Sequence, residues 1–155
     1  MREIHFVENR CLGCEECVEA CSKAHGGEAR SFVVVVDGYF PFPMRCRHCE
    51  DAPCKEVCPS GAIQRNEFGA LVLNQERCIG CHSCVQICPF GALATSPING
   101  AVLKCDLCPD LQAEGLDPAC VASCPKGAIE FTLPDPPLAA RRQRVAGFVK
   151  ASIGF

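Results

Sequence analysis

Sixteen cysteines dominate the chemistry that this sequence of 155 residues could perform. They form four groups of four, and every group ends in the spacing Cys-x3-Cys. The groups are Cys11, Cys14, Cys17 and Cys21; Cys46, Cys49, Cys54 and Cys58; Cys78, Cys81, Cys84 and Cys88; and Cys105, Cys108, Cys120 and Cys124. Groups one and three read Cys-x2-Cys-x2-Cys-x3-Cys throughout, which is the bacterial signature for thiolate ligation of a [4Fe–4S] cluster. Since sixteen thiolates complete the ligand shells of four such clusters, we predict four [4Fe–4S] clusters as the cofactors.

The spacing also predicts which cysteines share a cluster. Three bunched cysteines can wrap three corners of one cube from a single loop, whereas the fourth points away and reaches the other cluster of a pair. Groups two and three form a complete two-cluster unit by themselves, so groups one and four are left for each other. We therefore predict cluster 1 on Cys11, Cys14, Cys17 and Cys124; cluster 2 on Cys46, Cys49, Cys54 and Cys88; cluster 3 on Cys78, Cys81, Cys84 and Cys58; and cluster 4 on Cys105, Cys108, Cys120 and Cys21. Sequential pairing, of group one with group two and of group three with group four, is the alternative.

Structural disulfides and structural zinc are the alternatives to iron–sulfur ligation. An even cysteine count allows disulfides, but residues 1–6 contain no apolar signal-peptide core, and we expect a cytoplasmic protein with reduced thiols. Zinc sites usually pair two Cys-x2-Cys units at a distance, whereas here three cysteines are bunched and a fourth follows at a fixed offset. The pattern therefore favours clusters. The histidines are interpreted as loop or surface residues rather than ligands; they are His5, His25, His48 and His82.

The composition fits a chain that metal sites hold together. It contains no Trp, one Tyr and nine Phe. Small domains with so few large apolar side chains often need bound metal to stabilise the fold. The formal charge is −3, and four oxidised clusters on sixteen thiolates would bring it to about −11, which argues against a nucleic-acid partner. Six basic residues near the ligands either offset this charge or are solvated. They are Lys23, Arg45, Arg47, Lys55, Lys104 and Lys126.

Internal repeats and a set of short elements predict an α+β fold. Cys58, Cys88 and Cys124 are each followed by Pro-x-Gly-Ala and an apolar residue, which predicts a turn and the start of a strand. We predict short strands over residues 3–7, 32–37, 71–73, 101–103 and 130–133, and short helices over residues 17–24, 53–58, 84–88 and 118–124. The predicted fold consists of two bacterial-type two-cluster ferredoxin modules, one inserted in the other. We predict that residues 1–40 and 100–133 form the outer module with clusters 1 and 4, and that residues 41–99 form the inserted module with clusters 2 and 3.

Residues 134–155 contain no cysteine and are predicted to form a Pro-rich linker and a C-terminal amphipathic helix. Prolines at 134, 136 and 137 break the chain, and apolar residues between 138 and 153 then fall near one face of a helix. This helix folds back over the body, docks on a partner or on another copy of the chain, or lies on a membrane surface. We expect no direct membrane insertion.

Four stretches around the cysteines carry a family resemblance. They are Cys11-Leu12-Gly13-Cys14-Glu15-Glu16-Cys17, Cys46-Arg47-His48-Cys49-Glu50-Asp51-Ala52-Pro53-Cys54, Cys78-Ile79-Gly80-Cys81 and Lys104-Cys105-Asp106-Leu107-Cys108. Over about residues 1–133 the chain resembles the four-cluster electron-transfer subunits that serve formate dehydrogenases, formate hydrogenlyase, tungsten aldehyde oxidoreductases and carbon monoxide dehydrogenases. The resemblance implies the nested modules and a catalytic oxidoreductase subunit as partner. A molybdenum or tungsten pterin enzyme is the first choice, with a carbon monoxide dehydrogenase or a hydrogenase as alternatives.

We therefore expect a non-catalytic carrier that relays low-potential electrons to or from such a subunit. The sequence contains no phosphate-cradling glycine loop and no nucleophile–base pair. A free-standing soluble polyferredoxin is a variant of this hypothesis. An iron–sulfur enzyme with a substrate-binding cluster requires a cluster with three protein ligands, which sixteen cysteines for four clusters disfavour. A structural zinc or nucleic-acid module is the third class, and it would be colourless where a cluster protein is brown.

Overall fold

The computed structural model describes residues 1–133. The predicted Pro-rich linker and C-terminal helix at residues 134–155 lie outside the described residues. Within residues 1–133 every helix is too short or too polar to cross a membrane. The prediction of a small fold that combines short strands with short helices is confirmed.

The described chain contains eight short strands, five short α-helices and one 3-10 turn. In chain order they are β1 (Glu3–Phe6), the 3-10 turn Glu8–Arg10, α1 (Glu16–Ala24), β2 (Phe32–Val36), β3 (Phe40–Met44), α2 (Pro53–Glu56), β4 (Ile63–Arg65), β5 (Leu71–Leu73), α3 (Ser83–Ile87), β6 (Ala94–Thr95), β7 (Val102–Leu103), α4 (Pro109–Ala113), α5 (Ala119–Ala122) and β8 (Ile129–Thr132). The strands form four two-stranded antiparallel sheets, β1 with β8, β2 with β3, β4 with β5 and β6 with β7. Sheets this small are marginal alone, so the loops and helices between them must supply the rest of the packing.

The two ends of the described chain come together. Strand β1 pairs with β8 in the register Ile4↔Phe131, and α1 packs against α5. These contacts join residues before 25 to residues after 118, across the whole intervening sequence. A chain whose middle is an inserted unit needs such contacts, although the predicted division into modules remains a prediction.

The middle of the chain has its own small core. Helix α2 packs against α3, and β4 pairs with β5. The core here contains Ile63, Leu71 and Leu93 together with Cys54 and Cys84. Ile63 and Leu71 are almost completely shielded from solvent. The cysteine side chains are therefore part of the hydrophobic packing, as expected where there is little other apolar material.

The hairpin of β6 and β7 connects this middle unit to the last part of the chain. Its turn is closed by backbone hydrogen bonds from Ser96 N to Ala101 O (2.7 Å) and from Gly100 N to Ser96 O (3.0 Å). Val102 of β7 is buried in the same core as Ile63. The boundary predicted between residues 99 and 100 thus falls inside a hairpin, and residues up to 104 pack with the middle unit.

Strand β3 was not predicted because it contains two prolines, Pro41 and Pro43. They lie opposite Val35 and Val33 in the ladder with β2. A proline cannot donate a ladder hydrogen bond and is tolerated only on edge strands or at bulges. The two prolines sit at alternate positions of a two-stranded sheet, where every second N–H faces away from the partner strand, so the pairing survives both.

Candidate iron–sulfur centres

The last cysteines of groups two, three and four begin the same turn. The N–H of the glycine three residues later donates to the cysteine carbonyl, and the N–H of the next alanine donates to the cysteine Sγ. The glycine N–H distances are 3.1 Å (Gly61 to Cys58), 3.1 Å (Gly91 to Cys88) and 3.2 Å (Gly127 to Cys124). The distances to Sγ are 3.3 Å (Ala62 to Cys58), 3.4 Å (Ala92 to Cys88) and 3.2 Å (Ala128 to Cys124). The glycines have φ between 57° and 59°, which other residues rarely adopt. The repeat thus gives each sulfur one backbone donor, and such donors favour the thiolate.

Group one ends differently because Ser22, not proline, follows Cys21. Helix α1 continues past Cys21 to Ala24, and the sulfur accepts a hydrogen bond from Arg30 N at 3.2 Å. Burial raises the pKa of Cys21, but hydrogen bonds from His25 and Arg30 N more than offset this effect, and the net pKa is lowered. All four closing cysteines therefore have a backbone donor on sulfur.

The last cysteine of group four lies beside group one. Cys11, Cys14, Cys17 and Cys124 line a single cavity. Burial is the main reason that the pKa of Cys17 is raised; Arg45 opposes the rise, and the thiolates of Cys124 and Cys14 add to it. Four sulfurs from opposite ends of the described chain thus converge on one space.

Cys120, another cysteine of group four, lies near Cys21. Burial raises the pKa of Cys120 to about 12; Arg45 opposes this rise, and the thiolates of Cys21 and Cys108 add to it. Cys21 lies on α1 and Cys120 on α5, and these are the two helices that pack together. Cys105 is likewise buried, and burial raises its pKa.

In groups two and three as well, a cysteine of each group lies near the closing cysteine of the other group. Burial raises the pKa of Cys49, and the thiolates of Cys46 and Cys88 raise it further. For Cys84 burial is again the largest cause of the raised pKa, and the thiolates of Cys54 and Cys58 add to it. The crossed pairing remains a prediction, and these neighbours are compatible with it.

The cysteine side chains fit a soft, thiolate-binding metal group. All sixteen lie within residues 1–133, and none of them is in a disulfide. Iron–sulfur clusters are held by cysteine thiolates, and burial here disfavours the thiolate until a metal replaces the thiol proton. Backbone N–H groups already donate to the sulfurs of all four closing cysteines and of Cys46. Cys11, Cys14, Cys17 and Cys124, which line one cavity, would hold one cluster, and the grouping of the other twelve cysteines remains a prediction.

A polar network supports the loop of group four. His25 Nε2 lies 3.1 Å from Asp106 Oδ1, His25 Nδ1 lies 2.7 Å from the carbonyl oxygen of Cys21, and Arg30 forms an ion pair with the Asp106 carboxylate. The hydrogen bond with Asp106 is the main reason that the pKa of His25 is raised to about 12. Burial raises the pKa of Asp106, but the His25 hydrogen bond and the Cys108 N–H more than offset this and hold it at about 2.

The same network includes a possible ligand trio. Side-chain atoms of His25, Asp106 and Cys108 lie within 4.8 Å of one another. Asp106 Oδ1 also accepts the Cys108 N–H at 2.9 Å. Because the carboxylate is already engaged by Arg30 and by this backbone donor, we interpret the trio as outer support for the Cys108 loop. Such groups fix the orientation of metal ligands.

Replacing Asp106 with asparagine should destabilise the folded protein by about 2 kcal/mol, because two partly buried cations lose their anionic partner. The raised pKa of His25 contributes stability that is complete below about pH 6.5 and is lost as the pH rises toward 12. The difference between wild type and Asp106→Asn should therefore be larger at pH 6 than at pH 9. The temperature at which each protein loses its visible absorbance on heating measures this difference in stability at both pH values. The exposed Arg2–Asp117 pair supplies the control, since Asp117→Asn should change little; equal effects from both variants would contradict the prediction.

The six basic residues that the sequence places near the ligands differ in how far they are buried. Lys104 and Arg45 are buried, whereas Lys23, Lys55 and Lys126 are exposed. Arg47 is also exposed, and its guanidinium lies 5.5 Å from the ring centre of Phe90. Sequence position alone gives no signal for this division, because each residue is similarly close to a cysteine.

Two histidines are less exposed than predicted. His48 lies in a loop but is buried, and its Nδ1 accepts the backbone N–H of Leu71 at 2.9 Å. Burial is the main reason that the pKa of His48 is lowered to about 3, and Lys104 lowers it further. The side chain of His25 is only 8% exposed. Both residues lie in loops, which the prediction of loop or surface positions includes, but neither side chain is on the surface.

Family models match most of this region. A 4Fe-4S dicluster domain matches residues 36–133, more than half of the chain, and a 4Fe-4S binding domain matches residues 8–24. The chain belongs to the 4Fe-4S ferredoxin-like family. Iron–sulfur binding by a ferredoxin-like domain, the first prediction from the cysteine spacing, is therefore confirmed. The number of clusters and their individual ligands remain predictions.

Curated relatives are similar along most of the chain. YdhX, a ferredoxin-like protein of Escherichia coli (strain K12), is 37% identical over 142 residues, which are 84% of this chain and 64% of YdhX. The thiosulfate reductase electron transfer subunit PhsB of Salmonella typhi is 39% identical over 137 residues, 80% of this chain and 71% of PhsB. The B subunit of the anaerobic dimethyl sulfoxide reductase of E. coli (strain K12) is 37% identical over 146 residues, 81% of this chain and 71% of that subunit. The chain thus spans slightly less than two thirds of YdhX and somewhat more of the other two.

Proposed function

We propose that this protein is the electron-transfer subunit of an oxidoreductase complex and has no substrate of its own. The observation that carries the proposal is the convergence of Cys11, Cys14 and Cys17 with Cys124, more than a hundred residues later in the sequence, on one cavity. The similarity to PhsB, an electron transfer subunit, and to the B subunit of a dimethyl sulfoxide reductase supports the role. When bound, [4Fe–4S] clusters supply one-electron redox centres.

The crossed ligand sets are part of this proposal. The closing cysteines exchange within pairs: Cys124 joins group one, Cys21 joins group four, Cys88 joins group two and Cys58 joins group three. The contacts of α1 with α5 and of α2 with α3 support these exchanges, because each contact brings a closing cysteine's neighbourhood to the partner group. On this basis the modules are nested, with groups two and three inside groups one and four.

The two modules meet where Cys46 and Cys105 share one hydrophobic cluster. Cys46 belongs to the proposed cluster 2 and Cys105 to the proposed cluster 4. The resulting spatial order is cluster 1, cluster 4, cluster 2, cluster 3. Clusters 1 and 3 are then the ends of the relay.

The exposure of the cysteines agrees with these ends. Among the sixteen cysteines, all of which are described, Cys14 and Cys81 are the two that are exposed. Each lies two residues after an exposed apolar residue; these are Leu12 (65% exposed) and Ile79 (66% exposed). We therefore propose that partners exchange electrons at these two loops, because apolar contact there would bring a partner against the terminal ligands.

Glutamate at either loop should slow electron exchange with a partner about tenfold without changing the iron content. Leu12→Glu and Ile79→Glu place a charge in the proposed contact surfaces, and each should affect the partner at its own end. Stopped-flow reduction by the partner measures the rate, with dithionite as a small reductant that both variants should accept normally. Ile98→Glu, at a residue that is 80% exposed in the β6–β7 turn, is the control. Both loop variants behaving like Ile98→Glu would contradict the proposed ends.

A molybdenum or tungsten pterin enzyme is the partner class that we propose, with the cytoplasm as its location. The test is anaerobic purification of the full chain from its native cells, followed by metal analysis of whatever accompanies it. We expect a large subunit containing molybdenum or tungsten that oxidises the reduced chain. Recovery of the chain alone, with no subunit that exchanges electrons with it, would instead support a free-standing carrier. A zinc-containing colourless protein would overturn both.

A further inference from the structure

Lys104 is a buried cation at the junction of the two proposed modules. Its residue is 3% exposed, and it lies between β7 and Cys105. Within residues 1–133 no carboxylate lies within ion-pair distance of its ammonium group. A buried charge is retained only where other groups compensate it, and among residues 1–133 the groups that do so are its hydrogen-bond acceptors.

The acceptors of Lys104 are one sulfur and one carbonyl oxygen that are distant in sequence, and the carbonyl oxygen of the next residue. Nζ donates to Cys46 Sγ at 3.2 Å and to the carbonyl oxygen of Cys105 at 3.1 Å, and it also donates to the carbonyl oxygen of Leu71. These acceptors use all three ammonium protons. Cys46 and Leu71 belong to the proposed inserted module and Cys105 to the outer one. The acceptor able to carry a full negative charge is the Cys46 sulfur.

We propose that Lys104 tunes the reduction potential of the cluster held through Cys46, while its carbonyl contacts hold the ammonium beside that sulfur. This inference rests on the proposed function, because it concerns a cluster bound to Cys46. Lys104 is a positioning residue in this account: it acts on the ligand sulfur and touches no reacting substrate. Charge and hydrogen bonds at cluster sulfurs are established determinants of cluster potential.

The sign of the effect follows from charge. One-electron reduction adds a negative charge to a cluster that its thiolates already make anionic. An ammonium donating to a ligand sulfur stabilises the reduced state more than the oxidised state, and burial reduces the solvent screening of that interaction.

Lys104→Met is the direct test, because methionine approximates the length of the side chain and removes its charge. We expect a normal iron content and a lower potential for one cluster. At a fixed solution potential the ratio of reduced to oxidised cluster should fall about tenfold, which is ~59 mV for a one-electron couple. An anaerobic redox titration followed by electron paramagnetic resonance measures it. The shifted signal should be the one that Cys54→Ala alters, since Cys54 is proposed to share that cluster.

Lys55→Met is the matched control. Lys55 follows Cys54, a proposed ligand of the same cluster, but it is exposed and pairs with Glu56 at 3.7 Å. The two variants lose the same charge near the same cluster and differ in burial. Lys55→Met should leave the potential nearly unchanged. An iron-replete Lys104→Met protein whose shift is no larger than that of Lys55→Met would overturn the inference.

A measurement on the wild-type chain keeps the inference testable if Lys104→Met loses its clusters. Protein grown with lysine labelled with 15N only at its side-chain nitrogen is reduced, and pulsed electron paramagnetic resonance is recorded. We expect a 15N coupling from the ammonium on Cys46 that Lys55→Met does not remove. Absence of any 15N coupling in a protein with about 16 iron atoms would overturn the inference while leaving the proposed function intact. A wild-type chain without clusters would overturn the proposed function itself.

Discussion

Replacing Cys21 with alanine should remove the cluster whose other ligands lie more than eighty residues later in the sequence. Under the crossed pairing, Cys21 completes the set of Cys105, Cys108 and Cys120. The iron content should fall from about 16 to about 12 atoms per chain, because a buried cubane that loses one of its four thiolates is expected to be lost. The contacts of α1 with α5 and the influence of Cys21 on the pKa of Cys120 support this expectation.

Matching phenotypes identify the cluster that is lost. Cys21→Ala should give the same missing resonance signal as Cys120→Ala. Cys14→Ala, a change in the same cysteine group, should instead match Cys124→Ala. Sequential pairing predicts that Cys21→Ala matches Cys54→Ala, because group one would then complete group two. That result would refute the crossed pairing, and the nested modules would fail with it.

The fragment of residues 41–104 should fold and bind about 8 iron atoms by itself. It contains groups two and three with both of their exchanged closing cysteines. It also contains the α2–α3 contact, the β4–β5 sheet and the buried Val102 of β7. Its end at 104 keeps the β6–β7 hairpin, which an end at 99 would cut, whereas its start at the predicted boundary of 41 omits strand β2 and the first residue of β3.

A second fragment distinguishes the two pairings. Residues 1–66 contain groups one and two, which would be a complete pair under sequential pairing and two incomplete sets under crossed pairing. We expect this fragment to retain far less iron than residues 41–104 after anaerobic reconstitution. Iron and sulfide analysis of both fragments makes the comparison. Two stable clusters on residues 1–66 and none on residues 41–104 would show that the modules are wrongly divided.

The sequence predicted the features that depend on local spacing. The closely spaced cysteines, the Cys-Pro-x-Gly-Ala turns and strands such as β2 and β5 depend on residues within one loop or one hairpin. Their chemistry is local: a glycine is needed where φ is near 58°, and the next N–H then reaches the cysteine sulfur. Such features require no knowledge of where the rest of the chain lies.

Features that depend on contacts between distant residues could not be predicted from local spacing. Strand β3 was missed because its prolines argue against a strand unless its position as half of a two-stranded sheet is known. Asp106 and His25 are 81 residues apart, and no sequence pattern links them. Lys104 and Lys55 are both next to a cysteine, yet the ammonium of Lys104 alone is buried against the junction of Cys46 and Cys105. Burial of a charge is decided by packing, which spacing does not encode.

The most direct test of the central claim is the cluster content of the intact chain. The protein is purified without oxygen, its iron and acid-labile sulfide are measured, and the unpaired spins are counted after full reduction. Four cubanes held by sixteen thiolates predict about 16 iron atoms, about 16 sulfides and interacting signals that together approach four spins per chain. About 8 iron atoms per chain after complete reconstitution, or stoichiometric zinc in their place, would contradict an account in which all sixteen cysteines hold a four-cluster relay.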